Sequence, residues 1–366
     1  MTTSVVRALG LVARDTAHPA VRAADPAGCR GCGRGSTVLA DRPDGTVVRH
    51  GEVVAKVHAD GTDPAGHRVR LAVAAHPLLA GVLLPPLPAA AEELLGRPVT
   101  AWPYGAPVDP ADPDAAPWEE AATLIARLHA LPLAALSEAV AVAEAEAVAV
   151  AEAGVTAGAE AAAGAEAVSP AGSGSGSGHR LPAMRGPAKA ARAVARMRAA
   201  GPHPAAGPVE RAWQRLPAWA RGEARAPGPY ALCHGDLHLG QLVRHPAPDG
   251  PWLLIDVDDL GLGDPAWDLA RPAAWYAAGL LPAETWLRFL GAYRSARGPA
   301  VPAAPDADPW PRLDVPARAL TVQTAALAIA KCCAEGRDPD EADMLMIEAC
   351  TRIADLATEL APGASS

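Results

Sequence analysis

The chain is 366 residues long, half of them hydrophobic by count, with a formal net charge of -9; that is enough for two subdomains and a sizeable core. With the acidic, base-free stretch 137–178 set aside the charges nearly balance, and no basic block remains to attract nucleic acid or a membrane surface. The N-terminus lacks a signal peptide's apolar run, "ALTVQTAALAIA" falls short of the roughly 20 residues a bilayer needs, and the six Cys show no disulfide spacing, so a cytoplasmic protein with free thiols is expected.

Residues 1–35 are punctuated by Gly and Cys, and their pattern defines no element. From Ser36 onward "STVLAD", "TVVRHG" and "EVVAKVH" are short β-branched runs separated by turn residues, the pattern of an antiparallel meander. "DPAGHRVRLAVAAHPLLAGV" has helical apolar spacing, "RPVTAWPYGAPVDPADPD" reads as a Pro-rich connector, and "PWEEAATLIARLHALP" is an amphipathic helix with Glu119 and Glu120 in its first turn. Residues 137–178 offer nothing large to bury and finish in a Gly/Ser linker, which predicts a disordered insertion. Helical pattern returns at "GPAKAARAVARMRAA" and "PVERAWQRLPAWARG", and three further helices close the chain.

Between them stand two motifs. "PYALC" is an apolar strand leading into "HGDLHLG", "QLVRH" and "PWLLIDV" are further short strands, and "PAPDG" is the turn between them. A hairpin therefore follows Asp236 and returns the chain toward it at Asp256, with Gln241 opening the hairpin. Two carboxylates and an amide oxygen form a hard donor set of the kind Mg²⁺ takes alongside substrate phosphates. Phosphoryl transfer further needs a carboxylate facing the acceptor hydroxyl and a cation on the phosphates. The cation candidate is Lys56 in "EVVAKVH", one of only three lysines in an Arg-rich chain.

"HGDLHLGQLV" followed by "LLIDVDDLGLGDPAWDLA" resembles the aminoglycoside phosphotransferase and choline kinase superfamily, and "LIARLHAL" is similar to a helix that precedes this loop there. The resemblance spans roughly residues 36 to 300. It implies an α+β, two-lobed protein-kinase-like fold, with a small β-rich N-lobe over 36–101 and a larger, mainly helical C-lobe over 102–366. It implies ATP and Mg²⁺ as cofactors and a small-molecule acceptor bearing a hydroxyl group. Carried over by position, Asp236 is the catalytic base, Asp256 and Gln241 hold the metal, and Lys56 binds phosphate. His234 and His238 shape the loop, Asp268 braces it, and Gly35 and Ser36 of "GCGRGS" stand where a phosphate loop would begin.

Two departures accompany the match. Gln241 occupies a position held by Asn in most of the family, whereas the similar loop of actinobacterial maltokinases has Gln there, and the helix after Lys56 contains no Glu to pair with it; Asp60 or Asp63 are the substitutes at hand. A catalytically degenerate kinase fold that binds nucleotide or a partner without phosphotransfer is therefore the alternative function. Cys29 and Cys32 form "CRGC" without the second pair that a zinc site needs. The acceptor and the oligomeric state are left open.

Overall fold

The computed structural model describes residues 2–18, 35–42, 45–136 and 181–356; the expected insertion over 137–178 and the Cys29/Cys32 pair lie outside them. In chain order the elements are α1 (Thr2–Ala17), β1 (Thr37–Arg42), β2 (Gly45–His50), β3 (Val53–His58), α2 (Pro64–Ala74), β4 (Glu93–Leu94), β5 (Arg97–Pro103), β6 (Ala106–Pro107) and α3 (Trp118–His129). Then come α4 (Gly186–Ala199), α5 (Ala206–Arg215), β7 (Ala231–Cys233), β8 (Leu242–Arg244), β9 (Trp252–Leu254), β10 (Gly261–Gly263), α6 (Ala266–Ala278), α7 (Ala283–Ser295), α8 (Trp310–Glu335) and α9 (Glu341–Asp355).

Two compact units result. The first comprises Met1–Val108, Pro132–Pro182 and Leu242–Asp258; the second comprises Asp109–Leu131, Ala183–Gln241 and Asp259–Ser366. The division is not the single cut near residue 101 expected from the sequence. Residues 242–258 join the first unit because β8 pairs with β6 and the Leu254 carbonyl accepts the Leu84 amide.

The first unit is built on an antiparallel sheet of order β1-β2-β3-β5-β4. The meander expected over 36–58 forms as β1–β3, with Lys56 opposite Val47 on one side and Thr100 on the other. The supposed Pro-rich connector supplies β5. Pro98 does not break it, because the ladder to β3 runs over Val99–Pro103 and leaves Pro98 beside the two-residue β4.

Residues 2–17, which gave no element in the sequence, form α1. Its Leu9, Val12 and Ala13 recur at helical spacing and bury against Val48, Ala55, Val57 and Val99. Each of the leucine and valine side chains contributes about 1.5–3 kcal/mol relative to exposure. Val5 and Val6 extend the apolar stripe against the same cluster, and Gly10, with its low helix propensity, is what weakens the pattern in the sequence.

The second unit is mainly helical. α8 packs against α4, α6 and α9, α3 lies along α7, and the β7–β10 pair is the described strand ladder among them. Trp267, Trp286, Phe289 and Tyr293 are buried there. No described helix is long and apolar enough to cross a membrane.

Candidate active site

In the first unit strand alternation sends Ala55 and Val57 toward α1 and Lys56 to the other face. There Lys56 Nζ donates to Asp256 Oδ1 at 2.8 Å and to Asp258 Oδ2 at 2.9 Å. Burial alone would lower the lysine's pKa, but the two carboxylates outweigh it and hold the ammonium above its usual value. Burial acts on Asp258 in the opposite sense, and Lys56 and His58 overcome it, keeping this carboxyl well below the ordinary range.

His58 Nδ1 lies 3.1 Å from Asp258, and its Nε2 lies 2.8 Å from Thr100 Oγ1, which also accepts from Trp102 Nε1 at 3.0 Å. One proton arrangement satisfies all three contacts: Trp102 donates to Thr100, Thr100 to His58 Nε2, and His58 Nδ1–H to the carboxylate. Asp256 follows β9 in the left-handed region at φ 64, a conformation Asp tolerates better than most residues. The hairpin end thereby aims two acids at one lysine.

The helix after Lys56 meets this cluster with an imidazole instead of an acid. His67 on α2 is buried, with Nδ1 3.8 Å from Asp258 Oδ1, and burial together with neighbouring His58 depresses its pKa to about 4. Asp63 caps α2 by accepting the amides of Ala65 and Gly66, and Asp60 is exposed; the partners of Lys56 come from residues 256–258 instead. Ser36 is not brought to this face. Its hydroxyl is 3.4 Å from the Gly10 carbonyl of α1 and 3.2 Å from His50 Nδ1, on the α1 side of the sheet, and Gly35 precedes it at φ 70. Both precede β1, whereas the turn of the first hairpin comes after it.

In the second unit the loop after β7 holds His234, Gly235 and Asp236. Gly235 has φ 86, and a Cβ there would stand 2.5 Å from the Asp259 carbonyl oxygen, so only glycine fits. Asp268 on α6, 1 % exposed, accepts the His234 amide at 2.6 Å and the Gly235 amide at 2.7 Å. His129 Nε2 lies 2.9 Å from Asp268 Oδ2, and His129 Nδ1 lies 2.8 Å from Tyr293 Oη, which accepts the Ala300 amide at 3.0 Å. With the tyrosine donating to Nδ1 and Nε2–H donating to the carboxylate, every buried polar atom in this chain of contacts is satisfied. The "LIARLHAL" helix thus presents its histidine to the brace of the loop.

Asp236 itself is clamped on both oxygens. Arg271 Nη2 donates to Oδ1 at 2.7 Å while Arg271 Nε holds the Leu237 carbonyl at 3.1 Å. Lys189 Nζ on α4 donates to Oδ2 at 2.7 Å and to Asp259 Oδ2 at 2.6 Å. Burial would raise the Asp236 pKa, but Lys189 and Arg271 reverse it, so the carboxyl stays ionised below the usual range. His238 Nδ1 accepts the Gly240 amide at 3.0 Å, and burial pushes its pKa down to about 4. Gln241 is buried, ends a turn over Leu239–Gln241 rather than opening β8, and donates its amide to the His238 carbonyl. Leu237, His238 and Leu239 also line a recess with Trp118, Arg271 and Trp275.

Lys189 and Asp259 were not singled out as site residues. The signal was available, since Lys189 is one of the three lysines. Asp264, beside the same motif, accepts the Ala266 amide and pairs with Arg312 at 3.1 Å, a structural role at the start of α6. His129, Cys233 and Asp268 sit close enough to suggest a metal site, yet burial raises the Cys233 thiol and the other two are hydrogen-bonded as described. His58, His67 and Asp258 are also close together, but the Lys56 ammonium on Asp258 opposes a second cation there.

A small antiparallel sheet unit and a larger helical unit are the parts of a protein-kinase-like fold. Solved structures of that kind resemble the chain throughout. A choline kinase from Cryptosporidium parvum Iowa II is 9% identical, with 94% of each chain covered and a TM-score of 0.52. Amicoumacin kinase hAmiN in complex with AMP-PNP, Ca2+ and Ami is 14% identical over 87% of this chain and 88% of that one, with a TM-score of 0.51. A thermostable mutant of aminoglycoside phosphotransferase APH(4)-Ia, in ternary complex with AMP-PNP and hygromycin B, is 14% identical over 88% and 95%, with a TM-score of 0.50. No curated protein sequence matches the chain. Residues 45–310 match the phosphotransferase enzyme family, more than half of the chain, and the protein belongs to that family.

Proposed function

We propose that the protein is an ATP-dependent kinase that transfers the γ-phosphoryl group to a hydroxyl of a small molecule. The observation that carries this reading is the pairing of a strand lysine, Lys56, with Asp256 and Asp258 at a hairpin end, in a family of phosphotransferases. Lys56 would hold nucleotide phosphates. Asp256 carries a carboxylate and Gln241 an amide oxygen, donors of the kind that suit Mg²⁺, an ion that would neutralise phosphate charge.

Asp236 would accept the hydrogen bond of the acceptor hydroxyl and set its direction. Held ionised by Lys189 and Arg271, it is a weak base, which suits a reaction whose loose transition state asks chiefly for alignment and charge neutralisation. Asp268, through the amides of His234 and Gly235, keeps the loop in register.

Nucleotide titration with and without Mg²⁺, alongside γ-phosphate transfer to a panel of hydroxyl compounds, tests the reading. Metal-dependent binding with transfer is expected, and Lys56→Met should raise KM for ATP at least about tenfold, the loss of a charge-assisted contact. Binding without transfer to any hydroxyl compound would instead support a degenerate kinase fold.

A further inference from the structure

Resting on the kinase reading, we propose that the acceptor is an uncharged hydroxyl compound with an apolar ring face, and that Lys189 excludes cationic acceptors by filling the ammonium position itself. The carboxylates around the loop are already matched from within the second unit. Lys189 Nζ bridges Asp236 Oδ2 at 2.7 Å and Asp259 Oδ2 at 2.6 Å, and Arg271 takes Asp236 Oδ1 at 2.7 Å. Arg185 Nε stands 3.6 Å from Asp259 Oδ1. Asp264 is paired with Arg312, and both oxygens of Asp268 bind loop amides.

Two carboxylate oxygens converging on one ammonium nitrogen form the arrangement that would recognise an amino-sugar or amino alcohol. In this chain a side chain of α4 occupies it, and the charges of Asp236 and Asp259 hold Lys189 protonated against the effect of burial. A cationic acceptor approaching Asp236 would meet the charges of Lys189 and Arg271 without an unmatched carboxylate on the loop to offset them.

The recess beside the loop has the same character. Trp118, Trp275, Leu237 and Leu239 are its apolar lining. Its polar groups are His238, whose Nδ1 accepts the Gly240 amide, and Arg271, whose guanidinium is committed to Asp236 and the Leu237 carbonyl. The recess is shallow, about 10 Å³ in volume, and its two tryptophans meet edge to face at 6.4 Å, so it offers an acceptor an apolar surface to lie against rather than a cavity that encloses it. Among the described lining residues neither an ammonium nor a carboxylate gains a dedicated partner.

The test compares matched pairs as acceptors for γ-phosphate transfer: glucose against glucosamine, N-acetylglucosamine against glucosamine, and 3,3-dimethylbutanol against choline, within a wider panel of sugars and alcohols. The uncharged member is expected to have the higher kcat/KM by at least about tenfold, roughly 1.4 kcal/mol. Faster transfer to the ammonium member, or to a carboxylate-bearing alcohol over its uncharged counterpart, overturns the inference and leaves the kinase reading standing. A wild-type protein that neither binds ATP nor transfers phosphate to any compound removes the kinase reading itself. A readout independent of turnover is the melting temperature in ethylammonium chloride against the same NaCl concentration. Lys189→Ala vacates the dicarboxylate and should be stabilised by ethylammonium, whereas the wild type should not respond; equal stabilisation of both overturns the inference whatever the acceptor.

Discussion

Asp268 shows how much one side chain can carry. Its two oxygens receive three hydrogen bonds, from two loop amides and His129, with almost no exposure to water. Removing such a charge leaves buried donors unpaired, so Asp268→Ala should cost about 3–5 kcal/mol in urea denaturation. His129→Ala should cost less, and the double variant should fall short of additivity because both act on one network. Additive losses would mean that the two residues are not coupled. The sequence suggests a bracing role for Asp268 as a carboxylate beside the second motif, able to accept loop hydrogen bonds. The role of His129 is not legible in the sequence, because its partners Asp268 and Tyr293 lie on α6 and α7, more than a hundred residues away, and no local pattern records them.

His67 belongs to the same scale. Buried against His58 and depressed to about 4, it stays neutral in the folded chain while the unfolded chain protonates near 6.5. A folded-state pKa below the unfolded value contributes stability at pH 7 that is lost as the pH falls. Between pH 7 and pH 5 that loss is about 2 kcal/mol for this one group. The variant His67→Gln should therefore show a stability flatter by about that amount over the same interval, read from urea midpoints. His238 shifts in the same direction, but it is over a third exposed and should contribute much less. An unchanged slope in His67→Gln would contradict this assignment.

Among elements, α1 is the addition that the sequence did not define. Leu9 is fully buried against the sheet, so Leu9→Ala should destabilise the first unit by about 2–5 kcal/mol. A loss under about 1 kcal/mol would mean that α1 is dispensable to the packing of β2 and β3. β5 is obscured for the opposite reason: its prolines at 98 and 103 look like punctuation, yet the ladder to β3 begins after Pro98 and reaches Pro103 only as its last pair. The β1–β3 meander, α2 and α3 were legible because period and turn residues agree locally. The acid expected on α2 was not there to be read, and its function passed to the 256–258 hairpin end, far along the chain from Lys56.

For the molecule as a whole, the two ionised clusters set its acid limit. Asp236 and Asp258 both titrate below their ordinary range because lysine, with arginine or histidine, holds them charged. The stability they contribute is present above about pH 4 and lost as the pH falls through their folded values. No activity limb from Asp236 is expected between pH 5 and 8; an acid limb in that range that disappears in Asp236→Asn, measured on residual activity, would contradict the clamped carboxylate. The loop that carries Asp236 was legible in the sequence as a motif, while the cations that clamp it, Lys189 and Arg271, come from α4 and α6 and needed the fold to be seen.

The central claim is tested most directly by following label from [γ-³²P]ATP into a pooled set of hydroxyl compounds, wild type beside Asp236→Asn, with ATP affinity measured for both. Transfer by the wild type is expected, with a drop of about 10²- to 10⁴-fold in the variant and ATP affinity within a few-fold of the wild type. Full transfer by Asp236→Asn would contradict that claim.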